Sequence, residues 1–588
     1  MTEENTESDG DRQPLEESSL LRGKSSWIPR CLHRMLPPGF LDEMKEQCAL
    51  AGPVFLGQTL VFFVSIVSSM FCGHLGKIEL DSVTLAVAVI NVIGVSVGTG
   101  LSAACDTLIS QTYGSKNLKR IGTILQRGII ILMLFCFPCW AIFINIEHIL
   151  LLFKHNPDIA RLTQTYVLIY IPALPAAFLF QLLLRYLQNQ GIIWPQVFIG
   201  IAVNIINVII NAIFLFILNL GVVGSAWANT ISQISMPLLL FIYLWTKKLH
   251  IETWAGWSKD CFQEWGIFIR LSIPSMLMMC IKWWSFQIGT FLVGLVSVVE
   301  LGAQSIIVVL ATASAMISRA FAVSASVRIG TALGAGDTEQ AKIAWKASLV
   351  CVVLFYLVTG IFWTGLKDYV ASIFTSHRET GILVSQLMLI FAPFNVFDGI
   401  AYTSGGILRG SGKQLIGAVL NAVGYCIIGL PVGISLMFAA KLGVIGLWSG
   451  MIMCVFVQSI LVMIYIIRIN WNKAYEEAQF RAGIRFLNEA ESFKDGSTGA
   501  TGLKIIGDLK ASDHKHYGMN ATEGIMLQDI AAVDKYIDKH KHAFTEATNV
   551  VGEVLSVKQL ILRRGLVIIT AVATLVIGVL INLLIGNG

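Results

Sequence analysis

The sequence predicts an all-α polytopic membrane protein, built from two six-helix repeats that form a twelve-helix core and a thirteenth, C-terminal transmembrane helix. Three observations predict it. The 588 residues are 55% hydrophobic and 13% charged, with a mean hydropathy of +0.71, whereas a soluble domain is nearer ~25% charged and can cover its surface with polar groups. Thirteen apolar stretches are long enough to cross about 30 Å of hydrocarbon as helices. Similar punctuation recurs at a spacing of about 220 residues.

Residues 1–47 open with MTEENTESDGDRQPLEESSLLRG and are expected to form a disordered cytosolic head. No apolar segment follows a basic one there, so the first span, not a cleavable signal, is expected to do the targeting. Stretches 1 to 6 come next at 49–72, 83–109, 128–144, 165–184, 195–218 and 221–245, which gives an N-terminal lobe over 48–245. The polar segment TKKLHIETWAGWSKDCFQEW, inside a cytosolic inter-lobe loop at 246–270, separates them from a C-terminal lobe over 271–467. Stretches 7 to 12 lie there, at 271–296, 301–327, 349–365, 383–402, 415–438 and 443–467. From 468 to 562 the chain is charged and polar, with DHKHYG, and buries too little apolar area for a core; a flexible cytosolic tail with some helix is expected. The last apolar run, 566–585, comes after Arg563–Arg564 and makes 563–588 the thirteenth span.

The loops set an orientation. Lys116, Lys119, Arg120 and Arg127 come after stretch 2, Arg185 after stretch 4, and Lys247, Lys248 and Lys259 after stretch 6. Arg328, Lys342 and Lys346 come after stretch 8, and Arg409 and Lys413 after stretch 10, while the alternate loops hold few cations. The positive-inside bias puts the head and tail in the cytosol and the extreme C-terminus outside, out of step with glycosylation of the Asn520 triplet. The net charge of +5 is thus a record of topology, and nucleic-acid binding is not expected. The eleven cysteines lie mostly in or beside apolar runs, where a thiol acts as a small hydrophobe; Cys136 and Cys139 spell C-x-x-C without a preceding strand, so neither redox nor metal chemistry is expected.

The repeat is carried by three pairs in order. YGSKNLKRIG from Tyr113 matches LGAGDTEQAKIA from Leu333; IPALP with Pro172 matches APFNV with Pro393; NLGVVGSAWA from Asn219 matches KLGVIGLWSG from Lys441. Each unit has an even number of helices, so the two run the same way through the bilayer and are related by an axis along its normal. A substrate site is expected between them near the midplane. Pro172 and Pro393, inside helices, are hinge candidates.

Several segments resemble a known family. Phe71 to Asn117 (FCGHLGKIELDSVTLAVAVINVIGVSVGTGLSAACDTLISQTYGSKN), PSMLMMCIKWW from Pro274, ALGAGD from Ala332, TSGGILRGSGKQ from Thr403 and GLWSGM from Gly446 resemble the vertebrate multidrug and toxin extrusion (MATE) transporters. The closing LSVKQLILRRG with its thirteenth helix resembles the second of the two mammalian branches. The resemblance implies a MATE-like fold and a plasma-membrane exporter that exchanges organic cations or xenobiotics for protons by alternating access. It implies no cofactor beyond the proton as coupling ion, a small-molecule substrate, the bilayer as surroundings and a monomeric unit. Physically, a carboxylate in a low-dielectric passage holds either a proton or an organic cation, and their competition couples the two flows.

This sequence departs from that pattern where the coupling acids belong. Family members usually carry a glutamate before the tryptophan pair of helix 7, where this chain has Lys282, and another five residues on, where it has Gln287. A third, in helix 8, is replaced by Val309; a fourth, in helix 10, survives as Asp398; and helix 8 adds Arg319. A lysine at a helix centre costs roughly 2.5–3.5 kcal/mol on insertion scales and must face protein or water, so Asp398 is the expected partner of Lys282 or Arg319. Gln58, Asn91 and Trp283 match positions expected to face the passage, with Trp284 open to either passage or lipid; Asp106 is expected at a helix end or gate, and Glu300 as a solvated loop acid. Three readings compete: preserved proton–cation exchange, selectivity altered toward neutral or anionic solutes, or a transport-incompetent scaffold. A membrane enzyme is not expected, because the C-terminal lobe holds one helical carboxylate and His250 lies in a loop.

Overall fold

The computed structural model describes residues 38–73, 75–375, 377–484 and 555–586. Most of the expected head and tail, including DHKHYG and Asn520, lies outside the described residues. Helices α1 (Phe40–Cys72), α2 (Ile78–Gly114), α3 (Leu118–Ile144), α4 (Pro157–Tyr170 continued by Ala173–Gln188), α5 (Trp194–Ile217) and α6 (Gly221–Thr246) make the first lobe. Helices α7 (Trp265–Gly294), α8 (Val298–Ala335), α9 (Thr338–Gly365), α10 (Arg378–Ser411), α11 (Gln414–Phe438) and α12 (Gly443–Ile467) make the second. A short bridging helix, Trp471–Ala482, comes after α12, and α13 (Val557–Gly586) ends the described chain.

Helix starts and stops obey local chemistry. Ser297 and Asp337 accept hydrogen bonds from the Glu300 and Gln340 amides, at 3.1 and 2.8 Å, and so cap α8 and α9. Gly336 and Gly412, at φ 88 and 76, close α8 and α10 in the left-handed region that glycine enters without a Cβ penalty. Several helices begin earlier than the apolar run that announces them: α1 starts at Phe40, inside the expected head, and α7 at Trp265, inside the expected loop. Hydropathy marks the lipid-crossing part of a helix; its polar end turns are invisible to it.

The repeat is conformational as well as verbal. Asn219 (φ 50) and Gly221 (φ 56) turn into α6 as Lys441 (φ 56) and Gly443 (φ 57) turn into α12, so the NLGVVG and KLGVIG segments make the same double left-handed turn. The matched prolines do not behave alike. Pro172 lies at the break in α4, where the two halves meet at 57°, because proline supplies no amide and ends the ladder. The Trp140 indole donates to the Ile171 carbonyl at the break, at 3.1 Å. Pro393, by contrast, lies within α10, a single continuous helix, and no break marks the second hinge candidate. π-helical stretches interrupt α2 at Ile90–Val95, α5 at Ile213–Ile217 and α11 at Ala422–Gly429.

Each lobe has its own core. One apolar cluster runs through α1 to α6 and the first turns of α7, from Val64 to Leu271; a second joins α7, α8, α10 and α12, from Val293 to Val455. At one end of the bundle the lobes close on each other. Gly330 and Gly334 of α8 lie so near Ser110 and Gln111 of α2 that an added Cβ would collide with them. Helix α13 lies along α3 in the same direction: Asn145 donates to the Gly578 carbonyl and Asn582 to that of Ile144, both at 2.9 Å. Arg564, at the start of α13, donates to the Phe262 carbonyl at 3.0 Å and lies 4.3 Å from the Trp265 ring.

Candidate functional site

Helices α7, α8 and α10 of the second lobe pack on α2 of the first, and α8 and α9 on α1, so polar groups on α7, α8 and α10 bear on the seam between lobes. Asp398 and Tyr402 are four residues apart on α10 and therefore share one face. Lys282 of α7 meets that face: its Nζ is 2.6 Å from Asp398 Oδ1, with the two side chains 15% and 8% exposed. The same Nζ stands 4.5 Å from the Tyr402 ring centroid. Arg319 of α8 takes a different partner from the one the acid count suggests. Its Nε donates to Tyr402 Oη at 3.1 Å, and its guanidinium carbon lies 5.3 Å over the Trp283 ring. The Tyr402 hydroxyl donates in turn to Met279 Sδ at 3.6 Å.

Two cations and one carboxylate thus share one seam of α7, α8 and α10, which leaves a formal charge of +1. Arg319 is 21 residues after Val298 and 16 before Ala335, so at 1.5 Å per residue it sits ~32 and ~24 Å from the two ends of α8. That is inside the spanning helix and several turns from either end, where an ionic group must face protein or water. One turn from Lys282 and one turn from Asp398 stand Phe286 and Phe394, edge to face at 6.3 Å, with Trp448 5.2 Å from Phe394. These rings wall the ion pair on one side. The sequence reading missed Tyr402 and this aromatic wall, although the spacing of Tyr402 from Asp398 was there to be read.

The other sequence-derived residues do not join this cluster. Gln287 is partly buried with no hydrogen bond from its side chain among the described residues, and Val309 is 46% exposed. Trp284, 45% exposed, reaches across the seam to the Val92 carbonyl at 3.4 Å. Asn91 lies next to it in the π-helical stretch of α2. Gln58 belongs to the first lobe, in a small recess with Gly57, Phe180, Gln181 and Gln196.

A second polar cluster locks the closed end. Asp106 of α2 accepts from Arg185 Nη1 of α4 at 3.0 and 3.2 Å, and Arg409 Nε of α10 lies 3.3 Å away across the seam. Thr107 donates to the Arg409 carbonyl at 2.6 Å and Gln111 to that of Gly410 at 2.9 Å. Glu43 of α1 pairs with Arg328 of α8. The bridging helix spans both lobes. Lys413 Nζ pairs with Glu477 at 2.7 Å and Gln479 donates to Gly334 O at 2.9 Å on one side; Arg481 Nε donates to Gln111 Oε1 at 2.9 Å and Asn117 to the Ala482 carbonyl at 3.0 Å on the other. Glu300, expected in a loop, lies in the first turn of α8 and accepts from the Val444 amide at 2.9 Å, which satisfies an open donor at the start of α12.

Comparison with known proteins matches this architecture. The MatE family model matches twice, at residues 53–213 and 274–434, one match in each lobe. The chain is 52% identical to mouse multidrug and toxin extrusion protein 2 over 575 residues, 97% of each chain. It is 49% identical to human multidrug and toxin extrusion protein 1 over 559 residues, covering 94% of this chain and 95% of that one. Among solved structures, the eukaryotic MATE transporter AtDTX14 superposes with a TM-score of 0.73 at 30% identity, covering 76% of this chain and 100% of that one.

Proposed function

The chain belongs to the multidrug and toxin extrusion (MATE) family of membrane transporters, and from that premise we propose a secondary active exporter, working by alternating access, whose selectivity has moved from organic cations toward neutral and anionic solutes. One observation carries the shift: the ammonium of Lys282, 2.6 Å from Asp398, occupies the carboxylate that a proton or an organic cation would need. An incoming monocation must displace a tethered one and then meet Arg319, which shares Tyr402 with Lys282. Coulomb repulsion between two unit charges 4 Å apart is about 4 kcal/mol at an effective dielectric of 20, enough to reverse a preference.

Alternating access needs one end to open as the other closes. We assign the closed end to the cytosol, because the cation-rich loops after α2, α8 and α10 lie there. Opening it requires the Asp106–Arg409 and Glu43–Arg328 contacts to part and the bridging helix to release one lobe.

A second reading keeps the proton–cation exchange that the family resemblance implies. In it Lys282 swings off Asp398 when substrate enters, and the Tyr402 ring, 4.5 Å from Nζ, supports that reading as a second resting place for the ammonium. Uptake of tetraethylammonium into cells expressing the chain, under an outward proton gradient, separates the two. The first reading expects uptake near background in the wild type and a gain of tenfold or more in the triple variant Lys282→Glu/Gln287→Glu/Val309→Glu. Saturable wild-type uptake that the proton gradient drives, with no gain in the triple variant, would favour the second.

A further inference from the structure

Among the described residues, the cations of α7, α8 and α10 that are not solvent-exposed are matched to carboxylates with one exception. Lys282 has Asp398, Arg328 has Glu43 and Arg409 has Asp106. Arg319 has no carboxylate within salt-bridge reach among the described residues. Only its Nε is used, on the Tyr402 hydroxyl, and one face of its guanidinium lies over the Trp283 indole. Neither Nη group donates to the protein among the described residues, and neither is sealed away as a buried unpaired atom. An arginine inside a spanning helix without a counter-charge is costly, so such residues mark ligand and ion paths. The two Nη groups form the fork that binds a carboxylate or sulfonate with two parallel hydrogen bonds.

We propose that Arg319, fixed by Tyr402 and Trp283, is the recognition point for an organic monoanion that carries an aromatic ring. The Tyr402 hydroxyl holds Nε and so turns the Nη edge of the fork outward. The indole of Trp283 supports the guanidinium from one face and offers its remaining edge to a substrate ring. Lys282, already satisfied by Asp398, adds positive potential without competing for the anion. Asp398, whose charge is cancelled by the lysine, does not repel it. The proposal rests on the transporter reading only for the steps after binding; the site itself is a property of the resting chain.

The test is equilibrium binding of radiolabelled benzenesulfonate to the purified full chain in lipid nanodiscs at low chloride. Phenyltrimethylammonium serves as the cation with the same ring and methanesulfonate as the anion without one. The site predicts that the wild type prefers benzenesulfonate to phenyltrimethylammonium by tenfold or more, and that methanesulfonate competes more weakly than unlabelled benzenesulfonate. Arg319→Gln should lose tenfold or more in benzenesulfonate affinity and Arg319→Lys less, since an ammonium keeps the charge but not the fork. Trp283→Ala should weaken benzenesulfonate and leave methanesulfonate unchanged. If Arg319→Gln does not fold, Arg319→Lys and the wild-type anion-to-cation ratio decide. Equal affinity in both variants and the wild type, or a wild-type preference for the cation, would overturn the site. Intact benzenesulfonate binding without flux of any solute would count against the transporter reading and leave the site standing; flux of a neutral solute without anion binding would do the reverse.

Discussion

At the scale of single residues, the proposed selectivity turns on the pair Lys282–Asp398. Its members are 15% and 8% exposed, so removing one strands the other in a medium that solvates it poorly. Asp398→Asn should destabilise the chain by roughly 3–5 kcal/mol, the usual cost of breaking a buried pair from one side. The double variant Lys282→Met/Asp398→Leu should recover most of that loss, which thermal unfolding in detergent would show as a lower midpoint for the single variant and a near wild-type one for the double. Composition and family resemblance put Lys282, Arg319 and Asp398 on the same short list. They did not reveal which cation takes the acid, because that choice depends on how three helices face one another, a relation no periodicity contains. Tyr402 was readable as the neighbour of Asp398 one turn on, yet its part as the anchor of Arg319 Nε at 3.1 Å emerges only from packing.

At the scale of elements, the bridging helix Trp471–Ala482 is the piece least visible in advance. It lies in a segment whose polarity reads as a flexible tail, but Trp471, Ala474 and Ala478 are buried on the second lobe while Arg481 and Ala482 bond to the first. Burial lowers the Arg481 guanidinium below its ordinary pKa, and the nearby Glu477 carboxylate opposes that shift, so this cation relies on its ion pair and on Gln111. Glu477→Lys places two ammonium groups together at Lys413 and should loosen the strap. A cysteine at Ser110, in the closed contact between α2 and α8, should then react with maleimide several-fold faster than in the parent, with exposed Cys48 and Cys426 replaced by serine in both. An unchanged rate would mean that the Asp106–Arg409 contacts hold the end shut without the strap. The spans themselves were legible, since each apolar run became a helix or, in α4, a bent pair of helices; the polar end turns of α1, α7 and α13 were not, because hydropathy records only what lipid touches. Pro172 broke α4 and Pro393 did not break α10, so proline in a span marks a place where bending is permitted, not where it occurs.

At the scale of the whole molecule, duplication supplied two lobes with separate cores, and divergence has made their interiors unlike. The paired left-handed turns at Asn219 and Lys441 preserve the common ancestry of the backbone. Chemistry is concentrated in one lobe: the cluster of Lys282, Asp398, Tyr402 and Arg319 belongs wholly to the second, with the first contributing Trp284's partner and the closing end. Under the proposed function, a transporter so built would keep its moving parts and change its cargo by altering a few side chains on the seam. The guarding of Asp398 by Lys282 is tested most directly by equilibrium binding of tetraethylammonium to purified wild type and to Lys282→Gln, both retaining Asp398. A guarded carboxylate gives no saturable binding in the wild type, and binding in Lys282→Gln that Asp398→Asn abolishes. Wild-type binding as tight as that of Lys282→Gln would show that the lysine does not guard the carboxylate, and the shift in selectivity would lose its cause.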